Sequence, residues 1–249
     1  PLDEIGTDLI AKYIAFRRRG DVEVATINRE LATLRRAFHL AQEWGRVDRL
    51  LPRVKMLPGE NRREQVLSPE DEAKYLEAAA PLLRDVATIL IDCALRPEEA
   101  FRLRWEQVRD GAIEIFRGKA KGSRRRVPCS ERVLAAIERR RGSGCDWVFP
   151  APTKSGHIEA SSLKKQHAHA VEESKVPSFV LYVLRHTCIT RWSRHMDPYT
   201  LHVIAGHADM NTTKRYVHPS DADVRAAMDR ARTANTSGPS AGDTATPPR

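Results

Sequence analysis

The segment SPEDEAKYLEAAAPLLRDVATILIDCALRPEEA, residues 68–100, decides the fold because it contains the start signals of three successive helices. Ser68 can cap the first helix, Pro69 fits its first position, and Asp71 adds a carboxylate to its first turn. We expect this helix to end near Ala80. A helical domain is therefore predicted to start at residue 68.

Two further helices follow in the same segment. Pro81 begins the second, which is expected to run through Ile89 to Ala94, and Pro97 begins the third, with two glutamates in its favourable first turn. Helical signals continue downstream and recur at residues 130–141, 161–174, 181–195, 198–205, 211–216 and 221–232. The pattern predicts a mainly α domain.

Residues 113–127 interrupt the helical pattern. Ile113, Ile115 and Val127 flank a polar turn at residues 121–123, which has the sequence Lys-Gly-Ser. Alternating apolar residues on both sides of a glycine-containing turn are typical of a β-hairpin. We expect a small antiparallel β-hairpin or sheet with a basic tip in this otherwise helical domain.

The beginning of the chain predicts a separate helical unit. A short helix is expected at residues 5–18, and a longer amphipathic helix at residues 24–44. The apolar positions of the longer helix recur at steps of four and three, at Ile27, Leu31, Leu34, Phe38 and Ala41. Since the chain begins at Pro1 without a methionine, we expect this unit to be truncated at its N-terminus.

The segment between the two helical parts has the composition of a linker. Residues 51–66 contain prolines, a glycine and several charges without a helical period. We expect a helical domain at 1–57, a linker at 58–67 with the boundary near residue 62, and a second domain at 68–232. Residues 233–249 are rich in Ser, Thr, Gly, Pro and Ala, cannot bury a core, and are expected to be a disordered tail.

The charge balance indicates an anionic partner. Among 249 residues, 42 Lys and Arg outnumber 33 Asp and Glu, which leaves a net charge of +9. Arginine clusters at 17–19, 124–126 and 139–141 are either solvated faces or parts of one extended contact with a nucleic acid. No apolar run reaches the roughly 20 residues of a membrane span. We therefore favour nucleic acid over a membrane as the partner.

Cysteine and histidine spacing does not indicate a metal site. The four cysteines include no C-x-x-C pair, so neither a zinc site nor a disulfide framework is predicted. His167 and His169 are two residues apart and would point to different sides of a helix. We expect no metal and no other cofactor. The chain opens without a signal-peptide pattern, which favours a cytoplasmic location.

Four motifs contain the residues that could carry chemistry. They are CALRPEEAFRLRW at 93–105, RGKAKGSRRRVP at 117–128, YVLRHT at 182–187 and GHADMNTTKRY at 206–216. Each motif taken alone has an ordinary interpretation, since a tyrosine such as Tyr216 usually buries its ring and leaves its hydroxyl wet. Their joint occurrence in this order is what needs a functional explanation.

Together the motifs resemble the tyrosine recombinase, or phage integrase, family. Arg96 matches the first catalytic arginine of the family, with Glu99 three residues later, although Cys-Ala precedes the motif's Leu-Arg where the family more often has Thr-Gly. The hairpin is similar to the one that carries the family's catalytic lysine. Lys119 matches this lysine by its spacing from Pro128, and Lys121 is the alternative.

The remaining motifs extend the resemblance. Arg185 matches the second catalytic arginine, and His207 followed nine residues later by Tyr216 resembles the family's Gly-His and nucleophilic tyrosine. Tyr182 stands where the family usually has histidine. A phenol can donate a hydrogen bond but is a poor proton acceptor at neutral pH, so we expect Tyr182 to stabilise charge. The alternative is an aromatic side chain packed on the core side of its helix.

The resemblance implies a helical core-binding domain followed by an α+β catalytic domain, and the residue types suit phosphoryl transfer. Displacement at a phosphodiester concentrates negative charge on its nonbridging oxygens, which planar, permanently charged guanidinium groups can clamp. We expect Arg96 and Arg185 to form this clamp. Lys119 is expected to protonate the leaving 5′ oxygen.

Tyr216 is the expected nucleophile. Its attack would form a 3′-phosphotyrosine and conserve the bond energy, so that a 5′ hydroxyl could reverse the step without ATP. Glu99 is expected to hold an arginine in place. The residues expected to contact DNA are Lys121, Arg124 and Arg125.

Three functions fit this residue set: a site-specific DNA recombinase or integrase, a catalytically idle DNA-binding relative, and a type IB topoisomerase. We favour the recombinase because an idle binder would not need Tyr216, Lys119 and both arginines. A topoisomerase acts alone, whereas strand exchange requires several protomers. The expected partners are double-stranded DNA and a tetramer of protomers on two DNA sites, at the nucleoid. The helix at 221–232 is expected to pack on a neighbouring protomer.

Overall fold

The computed structural model describes residues 1–47, 50–59, 65–116, 124–142 and 144–236. The chain divides into two compact units, Pro1–Glu64 and Gln65–Arg249. The division falls inside the segment that the sequence predicts as a linker. The first unit contains the predicted helical pair, and the second contains all four motifs.

Unit one is built on two helices, α1 (Thr7–Arg19) and α2 (Val24–Glu43), after a short 3-10 helix at Leu2–Glu4. Its buried core consists of Ile10, Ile27, Leu31, Phe38 and Val54. The segment after α2 is held by a side chain of that helix. The Asn28 amide accepts a hydrogen bond from the Leu57 backbone N–H at 2.7 Å and donates one to the Leu57 carbonyl at 2.9 Å.

Unit two follows the predicted order of elements, with one additional strand. It comprises α3 (Pro69–Ala78), α4 (Pro81–Cys93), α5 (Pro97–Phe101), β1 (Val108–Arg109), β2 (Ala112–Ile115), β3 (Arg125–Pro128), α6 (Glu131–Glu138), α7 (Ala160–Ser174), α8 (Tyr182–Trp192), α9 (Pro198–Ala205), α10 (Met210–Lys214) and α11 (Asp221–Thr236). The predicted fold class, mainly α with a small antiparallel sheet, is confirmed.

The start signals act as expected at the opening of unit two. The Ser68 hydroxyl accepts a hydrogen bond from the Asp71 backbone N–H at 3.0 Å, and Pro69 occupies the first helical position. Helix α4 lies at the centre, where it packs against α6 and α8, and Leu83, Val86 and Ile89 are fully buried. A helix that is apolar on several faces is therefore enclosed by its neighbours.

The sheet has one strand more than the hairpin predicted from the sequence. Strands β1, β2 and β3 are antiparallel and lie in that order, with Ile113 opposite Val127 on the buried face. The additional strand, β1, joins β2 through Asp110 and Gly111, both of which have positive φ. Asp-Gly is a strong signal for a two-residue hairpin turn, but strand β1 is too short to show any periodicity.

The C-terminal helix is longer than the sequence predicts. Helix α11 runs to Thr236, so residues 233–236 are helical although they were assigned to the tail. The Thr233 hydroxyl donates to the Asp229 carbonyl at 2.6 Å, which shows how a threonine can bond within the helix. Residues 237–249, the rest of the predicted tail, lie outside the described residues. No helix in the described part of the chain is long and apolar enough to cross a membrane.

A buried carboxylate ties α4 to the end of α6. The Asp85 side chain is 2% exposed and accepts hydrogen bonds from Arg139 Nη2 and Arg140 Nε, both at 2.6 Å. Charge-assisted bonds to a desolvated carboxylate are stronger than exposed ion pairs. By contrast, Glu138 and Arg141 form an ion pair in which both side chains are more than 60% exposed.

Replacing Asp85 should therefore destabilise the protein more than replacing Glu138. We expect Asp85→Asn to lower the free energy of unfolding by about 2 kcal/mol, the scale of hydrogen bonds to a charged group. Glu138→Gln, the matched control, should lower it by less than about 1 kcal/mol. Urea unfolding of both variants measures the difference, and equal losses would contradict the structural role of Asp85.

Candidate active site

Arg96 is fixed at the turn between α4 and α5. It is the N-cap of α5, and its backbone N–H donates to Glu99 Oε2 at 2.8 Å. The guanidinium donates from Nη1 to Glu99 Oε1 at 2.9 Å and from Nη2 to the Gly206 carbonyl at 2.5 Å. The first motif is thus joined directly to the last, and the Arg96 side chain remains 35% exposed.

Glu99 lies between two arginines. Besides Arg96, it accepts hydrogen bonds from Arg125 Nη2 at 2.7 Å and Nη1 at 3.1 Å. Burial raises the pKa of Glu99, but the hydrogen bond and charge of Arg125, together with Arg96, lower it below its ordinary value overall. Glu99 is therefore an anion at neutral pH, and it fixes the position of both guanidinium groups.

The two described residues that were predicted to contact DNA, Arg124 and Arg125, differ in exposure. Arg124 is exposed at the edge of β3, as a phosphate contact requires. Arg125 was predicted to contact DNA, but its side chain is only 1% exposed and is paired with Glu99. Side chains alternate along β3, and Arg125 therefore points inward. This burial favours a supporting role for Arg125 over direct contact with DNA. Lys119 and Lys121 lie outside the described residues.

Arg185 is a fully buried cation on α8. It donates from Nη1 to the Ala94 carbonyl and from Nη2 to the Ala205 carbonyl at 2.7 Å. These carbonyls belong to the ends of α4 and α9, where the helix dipole is negative. Among the described residues, Arg185 forms no ion pair with a carboxylate and its Nε has no hydrogen-bond partner.

This environment compensates the positive charge of Arg185 only in part, through the two helix ends and the more distant charge of Glu99. Burial is the main cause that lowers the pKa of Arg185 from its ordinary value. A guanidinium remains charged nonetheless, and a buried charge without a counterion is costly. Arg185 is therefore prepared to accept an anion.

Gly206 makes room for Arg125 and accepts a hydrogen bond from Arg96. It ends α9 with a φ of +62°, and a Cβ at this position would lie 2.6 Å from Arg125 Nη1. The carbonyl of the same residue accepts from Arg96. Glycine is needed both for the left-handed backbone and for the close approach of Arg125.

His207 is buried and uncharged. It is 4% exposed, and its Nδ1 forms a 2.9 Å hydrogen bond with Thr213 Oγ1. Burial, together with the charges of Arg185 and Arg96, lowers the pKa of His207 to about 4. At neutral pH the ring is therefore neutral, and it stacks on the Tyr216 ring with centroids 5.8 Å apart.

Tyr216 lies just after α10 and is partly buried against the small core of Ala94, Cys188 and Leu201. Its hydroxyl is 3.2 Å from His186 Nδ1. Burial raises the pKa of Tyr216, and the charge of Tyr182 raises it further. The phenol is thus protonated at neutral pH and needs a proton acceptor before it can attack.

Tyr182 is the first residue of α8 and is 47% exposed. Its exposure argues against the alternative in which it packs on the core side of the helix. Its electrostatic effect raises the pKa of both Tyr216 and Arg185, so its phenol lies near the other site residues.

Sequence reasoning did not assign three features of this site. His186 contacts the Tyr216 hydroxyl, and Thr213, which is fully buried, bonds both His207 and His202 at 2.9 and 3.2 Å. Ala94 has a φ of +48°, a conformation that costs a non-glycine residue about 1–2 kcal/mol. Of these three features, only Ala94 had a signal in the sequence, because it stands where the tyrosine recombinase family more often has glycine.

Comparison with known proteins identifies the family of this chain. Residues 65–223 match the phage integrase family. The chain therefore belongs to the phage integrase family, which is the family of tyrosine-type site-specific recombinases predicted from the motifs.

Two curated relatives show how far the similarity extends. The shufflon-specific DNA recombinase of Escherichia coli is 27% identical over 87% of this chain, which spans 59% of that relative's length. Tyrosine recombinase XerD of Pseudomonas aeruginosa is 29% identical over 87% of this chain and 78% of its own.

Solved structures show the same fold at lower identity. The Tn1549 transposon integrase in complex with transposon right end DNA has a TM-score of 0.78 at 19% identity, covering 93% of this chain and 87% of that one. A lambda integrase dimer bound to a COC′ core site has a TM-score of 0.70 at 16% identity, covering 88% and 81%.

The close approach at Gly206 predicts a specific loss of stability. Gly206→Ala would combine left-handed strain with displacement of Arg125, so we expect the free energy of unfolding to fall by at least about 2 kcal/mol. Gly111→Ala is the matched control, since Gly111 has a φ of +70° but nothing within 4 Å of an added Cβ. It should cost only about 1 kcal/mol. Equal effects in urea unfolding would refute the packing constraint.

The low pKa of His207 predicts a loss of stability in acid. The unfolded chain protonates a histidine near pH ~6.5, whereas folded His207 does so only at about 4. Its contribution is thus fully present above pH ~6.5 and is lost as the pH falls towards ~4, with about 2 kcal/mol lost between pH ~7.5 and ~5. Urea unfolding at the two pH values should show a smaller loss for His207→Gln, and an unchanged loss would contradict this assignment.

Proposed function

We propose that this protein cleaves and rejoins DNA at specific sites through a covalent 3′-phosphotyrosine intermediate. The observation that carries the proposal is the fully buried guanidinium of Arg185, which has no carboxylate counterion among the described residues. A phosphodiester is the anion that a DNA-processing protein would bring to it. The Tyr216 hydroxyl contacts His186, the residue that follows Arg185 on α8.

The two arginines supply the electrostatic part of the reaction. Arg96 is partly exposed and oriented by Glu99, whereas Arg185 is held by two helix ends. In the transition state, negative charge grows on the nonbridging oxygens, and guanidinium groups that are already oriented need no reorganisation to stabilise it. Fixed positive side chains would stabilise this charge without a metal or another cofactor.

EDTA should therefore leave the rate of DNA cleavage unchanged.

The nucleophile and the leaving group complete the step. The Tyr216 oxygen forms a bond to phosphorus, the bond to the 5′ oxygen breaks, and that oxygen takes up a proton. We assign this proton to Lys119, with Lys121 as the alternative, because an ammonium group can protonate a leaving oxygen as general acid. The phosphotyrosine keeps the bond energy, so a 5′ hydroxyl from either DNA can reverse the step without ATP.

Binding is expected to rest on phosphate contacts. The net charge of +9 and the exposed Arg124 support contacts to the backbone of double-stranded DNA. Such a protein would work at the nucleoid.

Strand exchange between two sites also requires several protomers, and we infer a tetramer. Helix α11 exposes Val224 and Met228, at 51% and 52%, which supports its packing on a neighbouring protomer. In a solved relative, a lambda integrase dimer is bound to a core site.

The test of the proposal is the covalent adduct. Tyr216→Phe should bind DNA normally but form no SDS-resistant adduct with DNA fragments that flank the gene, because only the hydroxyl is removed. Tyr199→Phe is the matched control, since Tyr199 is 69% exposed and outside the site. An adduct in Tyr216→Phe would refute the nucleophile. Loss of supercoils without joining of two sites would indicate a topoisomerase instead.

Tyr182 provides a second test. If its hydroxyl donates a hydrogen bond to a phosphate oxygen, Tyr182→Phe should cost about 1.5–3 kcal/mol in activation free energy, roughly a 10- to 150-fold slower cleavage. Tyr182→His should retain activity, since imidazole can also donate. Single-turnover cleavage measures both variants. A fully active Tyr182→Phe variant beside an inactive Tyr182→His variant would remove this residue from the reaction.

A further inference from the structure

The Tyr216 hydroxyl loses its proton when its oxygen bonds to phosphorus, and a side chain within hydrogen-bond reach can take this proton directly. His186 Nδ1 lies 3.2 Å from the hydroxyl oxygen, within the range for proton transfer once the complex forms. The two ring centroids are 5.0 Å apart with their planes tilted by 50°. When the histidine carries its own proton on Nε2, Nδ1 accepts a hydrogen bond from the phenol.

The other aromatic groups of the site are less suited to this task. His207 contacts the Tyr216 ring by stacking, and its Nδ1 is already bonded to Thr213. Because burial lowers its pKa to about 4, the His207 ring is a weak base. Tyr182 offers a phenol, which is a poor proton acceptor at neutral pH.

We propose that His186 is the general base that accepts the proton of Tyr216. The inference rests on the proposed function and adds a catalytic residue to it. During cleavage the proton moves from the Tyr216 oxygen to His186 Nδ1, and that oxygen forms the bond to phosphorus. The bond between phosphorus and the 5′ oxygen breaks, and Lys119 donates a proton to the leaving oxygen. During rejoining the 5′ hydroxyl returns its proton to the lysine, and the histidine returns its own to Tyr216.

The backbone around His186 is held on both sides, which fixes the direction of its side chain. Its preceding neighbour, Arg185, bonds the carbonyls of Ala94 and Ala205. The following residue, Thr187, is fully buried and accepts a hydrogen bond from the Leu67 backbone N–H at 3.0 Å. His186 itself is half-buried. A base positioned in this way needs little reorganisation when substrate binds.

Replacing His186 with asparagine separates proton transfer from hydrogen bonding. An asparagine oxygen can still accept a hydrogen bond from the phenol but cannot take its proton at neutral pH. On a nicked duplex that traps the adduct, we expect His186→Asn to slow adduct formation by about 10²- to 10⁴-fold, the usual contribution of a general base. DNA binding should be unchanged. His195→Asn, at an exposed position outside the site, is the matched control and should keep the wild-type rate.

A sulfur leaving group distinguishes the base from the acid. In a substrate with sulfur in place of the 5′ oxygen, the departing thiolate needs no proton. This substrate should restore cleavage by Lys119→Ala but leave His186→Asn slow. Restored cleavage by His186→Asn would assign the histidine to the leaving group and overturn the proposal, as would a rate within a few-fold of wild type on the ordinary substrate.

The contact can also be tested without DNA. In ¹⁵N NMR spectra of the histidine rings, Tyr216→Phe should shift the Nδ1 resonance of His186 because the hydrogen bond is lost. An unchanged resonance would overturn the pairing.

The failure of the proposed function and the failure of the His186 proposal are distinguishable. If the wild-type protein forms no adduct, both the proposed function and the role of His186 fail. A full rate of adduct formation by His186→Asn would remove only the histidine.

Discussion

The buried guanidinium of Arg185 is the constraint on which the rest of the site depends. It joins the end of α4 at Ala94 to the end of α9 at Ala205, although these residues are far apart in the sequence. A cation placed there without a carboxylate would strongly destabilise the fold if nothing offset it. The negative ends of two helices offset part of the cost, and the remaining positive charge is available to a phosphate.

Near this cation, a second network formed by Glu99, Arg96 and Arg125 determines the net positive charge of the site. Glu99 neutralises one of its two arginine partners, and Arg125 is buried beneath it while Arg96 stays partly exposed. The carboxylate therefore orients the exposed guanidinium and prevents repulsion between the two. Because Gly206 accepts from Arg96 and leaves room for Arg125, the position of α9 depends on this network as well.

Packing positions the ring of Tyr216, the proposed nucleophile, and a hydrogen bond positions its hydroxyl oxygen. The ring of Tyr216 stacks on His207, whose orientation is fixed by Thr213. The hydroxyl faces His186 on α8. Two histidines thus contact one tyrosine in different ways: the buried, neutral ring of His207 stacks on the phenol, and the half-buried ring of His186 contacts its hydroxyl.

The sequence alone determined the helix starts, the order of elements and the family, because these depend on local signals. Ser68 and Pro69 act on backbone within one turn, and the motifs around Arg96 and Tyr216 are recognised by neighbouring residues. Strand β1 was missed because two residues show no period. The pairing of Arg125 with Glu99 and the contact of His186 with Tyr216 were decided by the tertiary structure. Both depend on residues that lie distant in the chain, at sequence separations of 26 and 30, and no local pattern encodes such contacts.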